Sequence, residues 1–407
     1  MKRRHFLQTV LVTSSANVLA QTKNLKVEPL KIGALVPLTG AGGAYGAGMR
    51  NAVLLAADEI NQAGGIAGRM VEVVTADCQT NPIHAGNEAR RMIEQDKVSA
   101  IVGTWASSVT LAVMKITDAA NVIEMNVSGA PSISSEDKKD LVWRFHPSQV
   151  RFGEACAVAL FQLKALRPAY MAINNATGLA SLDGFKKAWL QTGGTLAAEI
   201  MYEPGKANYD QEVAQLLKAK PNVVVMGSFA PDMTAIYKDY LKVKSTEALS
   251  WVAPAWAANE DFLKAVGKDA AEGVITISSA SNEGSPAFVR FVKSFERQYG
   301  KLDLSNIYAP MCFDMVQILA MAALRVGSSA SPLEMSGVIR SITNKPGQVV
   351  DGFKSAKSLL AAGLKVDYDG ASGRLNFDHF GDTITPFEIR KYVAGVQVRQ
   401  RIVKIDA

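Results

Sequence analysis

Cysteine and histidine are scarce in this chain of 407 residues, with three and four copies respectively. The histidines are scattered along the sequence, and no spacing typical of metal ligands occurs. Three cysteines are too few for a disulfide-dense scaffold, and their odd number leaves at least one thiol free in an exported chain. The sequence therefore predicts no metal site and no fold built on disulfides.

Signatures of enzymes are also missing. The sequence contains no P-loop, no G-x-S-x-G nucleophile elbow and no zinc-protease motif. A glycine-rich turn over 39–48 follows a predicted strand, as a phosphate-binding loop would. Its spacing fails the dinucleotide pattern, because Tyr45 stands where the third glycine belongs after Gly40 and Gly42. The sequence thus predicts no cofactor and no catalytic centre.

Charge of one sign is not in strong excess. The chain carries 44 basic and 38 acidic side chains, a formal charge of +6. Three of the basic residues are Lys2, Arg3 and Arg4, so a chain without about the first twenty residues would carry 41 against 38, or +3. Such a small excess does not indicate a nucleic-acid partner. The composition, 48% hydrophobic and 20% charged, is that of a folded chain, and the length favours two domains.

The N-terminal residues have the composition of an export signal. A positive start, Lys2 to Arg4, precedes a moderately apolar stretch over 6–20 that ends in small residues suited to a signal peptidase. The run from Arg3 to Gln8 resembles the twin-arginine motif, and an ordinary secretory signal with two adjacent arginines is the alternative. In both cases residues 1–20 are predicted to be a signal peptide, and the mature protein is predicted to be periplasmic.

Strands alternate with helices along the mature chain. With helices between them, the predicted strands of a first unit cover 31–37, 70–76, 100–103 and 122–126. After His146 and Pro147 a second series of alternating helices and strands begins, with predicted strands over 169–173, 196–202, 222–227, 249–253 and 273–277. Beyond residue 285 follow three predicted helices and two β-rich segments, over 288–299, 308–326, 332–342, 374–377 and 387–405. This alternation predicts an α/β fold of two doubly wound units, each with a parallel sheet covered by helices.

Two serines follow one of these strands. Ser107 and Ser108 come after the predicted strand 100–103 and precede a helix. In open α/β sheets, ligands bind at this carboxyl edge of the strands. Backbone amides at a helix start, together with a serine hydroxyl, would form a receptor for a carboxylate. Alternatively, the two serines only cap the helix, and the residues by themselves leave both interpretations open.

The order of several short motifs carries a resemblance to a known family. These motifs are the segments 32–40, 45–46, 56–61, 64–66, 101–103, 107–108, 227–233, 269–273, 376–378 and 381–382. In this order they resemble the periplasmic solute-binding proteins of branched-chain amino-acid ABC transporters, the type I or Venus flytrap family. The resemblance extends over nearly all of 30–405, and the ordered set is specific although each motif alone is weak.

This resemblance implies two Rossmann-like lobes, joined by three crossing strands, that close over a solute. Lobe 1 would comprise 27–147 and about 280–362, and lobe 2 would comprise 148–279 and about 363–407. The partners it implies are a small carboxylate or amino-acid-like solute and the membrane permease of an ABC transporter. The resemblance therefore implies a solute-binding protein without catalytic activity.

Several positions match residues that hold the ligand in this family. The serine loop that binds the ligand carboxylate is matched by Ser107, and a backbone position after the next strand is matched by Ser128. The aromatic residue of the first lobe is matched by Tyr45. In the second lobe Phe229 matches one aromatic residue, and Thr177 replaces another.

Two positions depart from the family together. Its amino-acid binders hold the ligand ammonium with a threonine hydroxyl and a glutamate carboxylate, and the matching residues here are Ala130 and Ala255. A buried ammonium without a partner is costly. Trp105 and Trp256, with Phe229, would instead enrich the cleft in aromatic surface. We therefore expect a carboxylate that lacks an α-ammonium and is aromatic or branched aliphatic.

Alternatives to this expectation concern both the ligand and the class of function. An amino acid or amide would fit if its nitrogen found other acceptors, such as Asn174, Asp183 or Glu124. A sensor domain for amides or related solutes, signalling to a separate membrane partner, would share the fold. An exported cofactor enzyme is the third class, because the twin-arginine route carries folded proteins.

The first-lobe disulfide of the family is not expected in this chain. Cys78 matches one of its two positions, but Ala106 stands at the other. We therefore expect Cys78 to be a buried free thiol.

Overall fold

A computed structural model of the protein describes residues 28–162, 167–243, 249–280, 282–327, 329–383 and 385–405. The predicted signal peptide over 1–20 lies outside these residues. In the described part of the chain all three cysteines are free and buried. Burial raises the pKa of the Cys78 thiol to about 11, so this thiol is un-ionised at neutral pH, and the expectation of a buried free cysteine is confirmed.

The first sheet is formed by the N-terminal part of the described chain. Its strands are β1 (Leu30–Val36), β2 (Val71–Asp77), β3 (Ala100–Thr104), β4 (Ile123–Asn126) and β5 (Val142–Arg144). All are parallel, in the order β2-β1-β3-β4-β5. The connecting helices are α1 (Gly43–Gln62), α2 (Pro82–Arg91, continued by a π-helical turn over Met92–Asp96), α3 (Ser107–Ala120) and α4 (Ser132–Glu136). Every residue of β3 and β4 is buried, as expected of central strands in a parallel sheet covered on both faces.

The second sheet begins after residue 148. Its parallel strands are β6 (Pro168–Ile173), β7 (Ala198–Tyr202), β8 (Val223–Gly227), β9 (Ser250–Pro254) and β10 (Ile275–Ser279). The helices of this part are α5 (Gln149–Gln162), α6 (Ala176–Gln191), α7 (Asp210–Ala219), α8 (Ala230–Lys242), α9 (Glu260–Val266) and α10 (Lys268–Ala271).

The chain then returns to the first lobe, where β11 and β12 form a separate two-stranded parallel sheet, before it ends on the second sheet. The returning elements are α11 (Pro286–Tyr299), α12 (Tyr308–Val326), α13 (Pro332–Thr343), β11 (Gln348–Val350), α14 (Phe353–Ala361) and β12 (Val366–Tyr368). An antiparallel hairpin, β13 (Phe387–Val393) and β14 (Val396–Val403), completes the second sheet in the order β14-β13-β10-β9-β8-β6-β7. The architecture is therefore an α/β fold of two lobes, as the sequence predicts.

Helix α12 forms the core of the first lobe. It is long and apolar enough to cross a membrane, but 83% of its most apolar window is buried inside the protein. A helix that is apolar on all sides is stable in a soluble protein only when other elements surround it, and α12 packs against α1, α13 and α14. We interpret it as a core helix.

We propose that the last boundary between the lobes lies later than the sequence predicts. The prediction places the return to lobe 2 at about residue 363, but β12 pairs with β11, and Asp382 binds Arg144 of β5. These contacts belong to the first lobe. We therefore propose 28–147 with 282–383 for lobe 1, and 148–280 with 385–405 for lobe 2, so that the chain crosses between them three times.

The error at this boundary has a local cause. The predicted β-rich segment over 374–377 forms no regular strand among the described residues, and its ends make only isolated bridges, Asp369 to Arg374 and Phe377 to Thr383. Irregular segments carry no hydrophobic periodicity, so nothing in this stretch of sequence indicates which lobe it joins. The strands β5, β11 and β12 escape sequence prediction because three residues are too few to show a periodic pattern.

A buried carboxylate ties the irregular segment to the core helix. Asp314 of α12 is completely buried and accepts four hydrogen bonds. The Tyr368 hydroxyl donates at 2.5 Å, the Ala371 N–H at 3.0 Å, and Ser372 donates with its N–H at 2.7 Å and its hydroxyl at 2.6 Å. Burial raises the pKa of Asp314 to about 6, although these hydrogen bonds act in the opposite direction.

Candidate ligand-binding site

A small cavity lies between the two lobes. Its free volume is about 10 Å³, enough for about one water molecule, so a larger solute requires the walls to move apart. The residues that line it are Trp105, Ser107, Val127, Gly129, His146, Gln149, Thr177, Phe229, Trp256 and Tyr308.

The fold explains why these residues meet. Trp105 follows β3 in the first sheet, and Phe229 follows β8 in the second, so each lies at the carboxyl edge of its sheet. Thr177 lies in the first turn of α6, and His146 belongs to the first crossing between the lobes. The cavity is thus the place where both carboxyl edges face each other, which is where open α/β sheets bind ligands.

Four of the ten residues that line the cavity are Trp, Tyr or Phe: Trp105, Phe229, Trp256 and Tyr308. The Trp105 ring contacts Phe229 of the other lobe at a centroid distance of 5.1 Å and Tyr308 at 6.1 Å. The Trp256 ring lies 5.6 Å from the imidazole of His146. No Asp, Glu, Lys or Arg is among the described residues that line the cavity. The structure therefore brings together the three aromatic residues that the sequence predicts, in a wall without formal charge.

Ser107 presents the hydroxyl of this cavity that suits an acid. It is the first residue of α3, and the preceding Ala106 makes no side-chain cap. Its oxygen accepts hydrogen bonds from the N–H of Gly129 at 3.3 Å, the N–H of Ala130 at 3.0 Å and the hydroxyl of Thr177 at 3.4 Å. Within the described residues the Ser107 hydroxyl donates to no acceptor. Its hydrogen is therefore available to a ligand oxygen, and Ser107 does not act as the cap of α3.

Ser108 does not share this position. The side chain is exposed, and Ser108 is not among the residues that line the cavity. Successive residues of an α-helix point about 100° apart, so the orientation that turns Ser107 to the cavity turns Ser108 to solvent. This corrects the expectation that both serines contact the ligand.

Ser128 and Ala130 lie behind the cavity wall. The N–H of Ser128 donates to Asn126 Oδ1 at 3.0 Å, and its hydroxyl donates to the carbonyl of Trp105 at 2.8 Å. The backbone N–H that would bind a carboxylate is therefore already used, and Ser128 instead holds the Trp105 loop. The Ala130 side chain packs in a separate apolar cluster with Met114.

Ala255 and the predicted nitrogen acceptors also lie away from the cavity. Ala255 lines a different groove, between residues 260–264 and 301–307. None of the three alternative acceptors, Asn174, Asp183 and Glu124, is among the cavity residues. Neither Ala130 nor Ala255 is thus among the described residues that line the cavity.

Tyr45 joins the lobes beside the cavity. Its hydroxyl donates to the carbonyl of Trp256 at 3.0 Å and accepts a hydrogen bond from Asn259 Nδ2 at 3.0 Å, both in lobe 2. Its ring contacts Trp105 at 5.8 Å and Tyr308 at 5.2 Å. Tyr45 therefore supports the aromatic wall and bridges the closed lobes, although its side chain does not line the cavity.

Five residues of the cavity escape the sequence analysis. They are Val127, Gly129, His146, Gln149 and Tyr308. Gly129 is required sterically, because a Cβ there would lie 2.4 Å from Cγ of Gln149. His146 lies in the first crossing between the lobes, and Gln149 is the first residue of α5 directly after it. The feature that distinguishes His146 and Gln149 is that both are polar side chains in a buried segment.

A second buried carboxylate supports the loop that carries Trp105. Glu124 of β4 is completely buried, and the hydroxyls of Thr104 and Thr117 donate to its two oxygens at 3.0 and 3.2 Å. Burial raises the pKa of Glu124 to about 8; the two threonine hydrogen bonds lower it, and the charge of Asp137 adds to the increase. Glu124 is therefore neutral in the folded protein at pH 6.

This pKa predicts a pH-dependent stability. Because the folded pKa of about 8 exceeds that of an unfolded glutamate, the stabilisation from neutral Glu124 is complete only at low pH and is lost as pH rises towards 8. Relative to Glu124→Gln, whose amide stays neutral, the wild type should lose up to about 1.4 kcal/mol per pH unit between about pH 5 and 7.5. Urea unfolding across this range measures the difference. The unfolding free energy of Glu94→Gln, a variant at an exposed position, should depend on pH as that of the wild type does. The same pH dependence in Glu124→Gln and the wild type would contradict the prediction.

Comparisons with known proteins agree with this architecture. The chain is 24% identical over 393 residues to the chemotactic signal transduction system substrate-binding protein BasB of Halobacterium salinarum, covering 92% of this chain and 89% of that protein. Its fold is similar to that of the leucine-binding protein LivK from Thermotoga maritima, with a TM-score of 0.78, 21% identity and coverage of 92% and 99% of the two chains. It is also similar to an ABC-transporter solute-binding protein from R. palustris in complex with benzoate, with a TM-score of 0.75, 19% identity and coverage of 92% and 96%.

A family model decides the assignment. The model of the periplasmic binding proteins matches residues 29–379, which is most of the chain. The two-lobed α/β architecture and the cavity between the lobes are the features expected of such a protein. The chain therefore belongs to the periplasmic binding protein family, as a type I member like the leucine/isoleucine/valine-binding proteins.

Proposed function

We propose that this protein is the extracytoplasmic solute-binding component of an ABC importer. It captures a small carboxylate-bearing solute between its lobes and delivers it to a membrane permease, without catalysing a reaction. The observation that carries this proposal is the uncharged aromatic cavity with the Ser107 hydroxyl at the start of α3. Export of the mature protein, by the twin-arginine or the general route, is part of the same proposal.

The cavity chemistry favours an acid with an apolar body. The N-terminal end of the 14-residue helix α3 carries a partial positive charge, which stabilises a carboxylate next to Ser107. Trp105, Phe229 and Trp256 offer apolar surface, and each Å² of apolar ligand surface that they bury contributes about 25 cal/mol before the costs of association. A solute with a branched aliphatic or aromatic group would pack against these three rings. The relatives bind such molecules: one is named for leucine, and another was crystallised with benzoate.

Lobe closure supplies the mechanism. Ser107 belongs to lobe 1, whereas Thr177 and Phe229 belong to lobe 2, so only the closed arrangement surrounds a solute with all three. A solute that contacts both lobes therefore shifts an open–closed equilibrium towards the closed form. The permease would receive the solute when the lobes open again.

A thermal-shift screen tests the proposal. Benzoate, 4-methylpentanoate and their ring-substituted or branched analogues are compared with leucine, phenylalanine and the other amino acids. A solute at 100 times its Kd stabilises the folded state by about 2.7 kcal/mol, so acids that bind should raise the melting temperature by several degrees. The proposed acid class predicts shifts with at least one acid that lacks an α-ammonium. Shifts with amino acids alone would contradict this class, and no shift with any carboxylate would contradict the carboxylate site altogether.

A second candidate is a ligand-sensing protein for amides or related solutes. The observation that favours it is the similarity to BasB, which is named as part of a chemotactic signal transduction system and matches 92% of this chain. In that case the closed, loaded protein would dock on a signalling receptor instead of a permease. Solute-dependent uptake in vesicles that contain the permease supports the importer, whereas solute-dependent binding to a receptor without uptake supports the sensor.

A further inference from the structure

Two acceptor atoms in the cavity have no partner. Nε2 of His146 and Oε1 of Gln149 are buried, and neither makes a hydrogen bond within the described structure. Both side chains line the cavity between the lobes. Buried polar atoms without hydrogen-bond partners are rare and costly in folded proteins. Two of them at one cavity therefore indicate that a bound molecule supplies their hydrogen-bond partners.

The hydrogen bond of the other ring nitrogen determines whether His146 Nε2 is a donor or an acceptor. The other ring nitrogen, Nδ1, lies 2.8 Å from the carbonyl oxygen of Pro147. A carbonyl can only accept, so Nδ1 carries the hydrogen and donates it. In a neutral imidazole the second nitrogen is then an acceptor. Nε2 therefore requires a hydrogen-bond donor.

The residues around the imidazole do not supply that donor. The Trp256 ring faces it edge-on at 5.6 Å, but its Nε1 donates to the carbonyl of Ser228. The Tyr308 ring lies at 5.8 Å. The nearest cation, Arg144, donates to the Ala130 carbonyl and to Asp382. The partner of His146 Nε2 therefore comes from what occupies the cavity, a water molecule in the empty protein and a solute when one is bound.

The charge state agrees with an acceptor role. Burial lowers the pKa of His146 to about 4; the hydrogen bond with Pro147 raises it, and the positive charge of Arg144 lowers it further. Arg144, which stands two residues before His146, is the only charged group that influences it markedly among the described residues. At neutral pH the ring is uncharged and does not serve as a cationic anchor for a carboxylate.

We propose that His146 is the specificity-determining residue of the cleft, selecting a solute that carries an N–H or O–H donor in addition to its carboxylate. Gln149 Oε1 provides a second acceptor next to it. This inference rests on the proposed solute-binding function and narrows its ligand class to hydroxy or amino derivatives of the apolar acids. A plain acid leaves Nε2 desolvated and unpartnered, whereas a hydroxyl or amine on the same skeleton satisfies it.

Matched ligand pairs test this selection by calorimetry. Benzoate is compared with its 2-, 3- and 4-hydroxy derivatives, and 4-methylpentanoate is compared with leucine and with 2-hydroxy-4-methylpentanoate. In the wild type, at least one donor-bearing member should bind about 10-fold more tightly than its parent acid. In His146→Phe, which keeps a flat ring but lacks the acceptor, that preference should fall to within about 2-fold because the parent acid no longer leaves a nitrogen unpartnered.

The control variant is Gln149→Met, which removes the neighbouring amide and keeps the imidazole. It should retain more of the preference than His146→Phe. Equal affinity for all members of both series in the wild type, or a preference that survives in His146→Phe, would overturn the proposal.

A measurement on the wild type alone tests the proposal even if the His146→Phe variant does not fold. Calorimetry in two buffers of different ionisation enthalpy counts the protons taken up on binding at pH 6.5. A neutral acceptor predicts no proton uptake, and uptake of about one proton would show a cationic His146 that donates to the carboxylate, which overturns the proposal. The two levels of inference fail separately: no carboxylate binding contradicts the proposed function, whereas binding without donor preference contradicts only the role of His146.

Discussion

Replacing Ser107 with alanine should weaken binding of the best acid from the thermal-shift screen by about 100-fold, which corresponds to about 2.7 kcal/mol. A hydrogen bond to a charged group contributes about 1.5–3 kcal/mol, and the Ser107 hydroxyl, which lines the cavity, can donate one to a carboxylate. The variant also removes the acceptor of the Gly129 and Ala130 N–H groups, which loosens the loop behind the ligand. Isothermal titration calorimetry measures the loss.

The adjacent serine provides a matched control. Ser108→Ala makes the same chemical change one residue further along α3, at an exposed position outside the cavity. It should bind the same acid within about 2-fold of the wild type, because it removes no contact to the ligand. Equal losses in both variants would mean that the start of α3 matters only as a whole, and that Ser107 is not the carboxylate donor.

Replacing Asp314 with alanine should cost about 4 kcal/mol of unfolding free energy, the largest stability effect that we expect in this protein. Four donors, from Tyr368, Ala371 and Ser372, converge on this carboxylate inside the first lobe. Alanine leaves all four buried without a partner, and each unsatisfied donor is costly. Urea unfolding, followed by tryptophan fluorescence and by circular dichroism, measures the change.

A surface aspartate serves as the comparison for this variant. Asp183 is 54% exposed and forms an i,i+4 pair with Lys187, an arrangement that contributes little in water. Asp183→Ala should change the unfolding free energy by less than about 1 kcal/mol. A similarly small change in Asp314→Ala would contradict the prediction, because it would show that residues 368–372 hold to α12 without the carboxylate.

Regular elements were predictable from the sequence because they repeat a physical pattern. Strands such as β3 and β8 are short, mostly apolar and followed by helices, and this order predicts parallel sheets covered on both faces. The irregular segment 369–383 has no such pattern. Its position depends on single polar contacts, such as Asp382 with Arg144, that join residues more than 200 positions apart.

The candidate site was predictable only where a motif marks it. Ser107 follows a strand and precedes a helix, and the aromatic residues Trp105, Phe229 and Trp256 stand in loops that follow strands, so their edge of the sheet could be inferred. The ligand roles of Ser128 and Ala130 were assigned by matching positions, which does not reveal that one N–H is already bonded and one side chain faces away. His146 has no motif, because its role depends on a nitrogen left without a partner after folding.

The hydroxyl of Tyr45 has a consequence for how affinity and selectivity are divided in this protein. It joins the lobes through Trp256 and Asn259 without lining the cavity, so it favours closure by the same amount whatever solute is present. Apparent affinity scales with the fraction of molecules already in the binding-competent state. The Tyr45 bridge therefore changes the affinity for every solute by the same factor. The residues that contact the solute determine which solute binds most tightly, so affinity and selectivity can change independently.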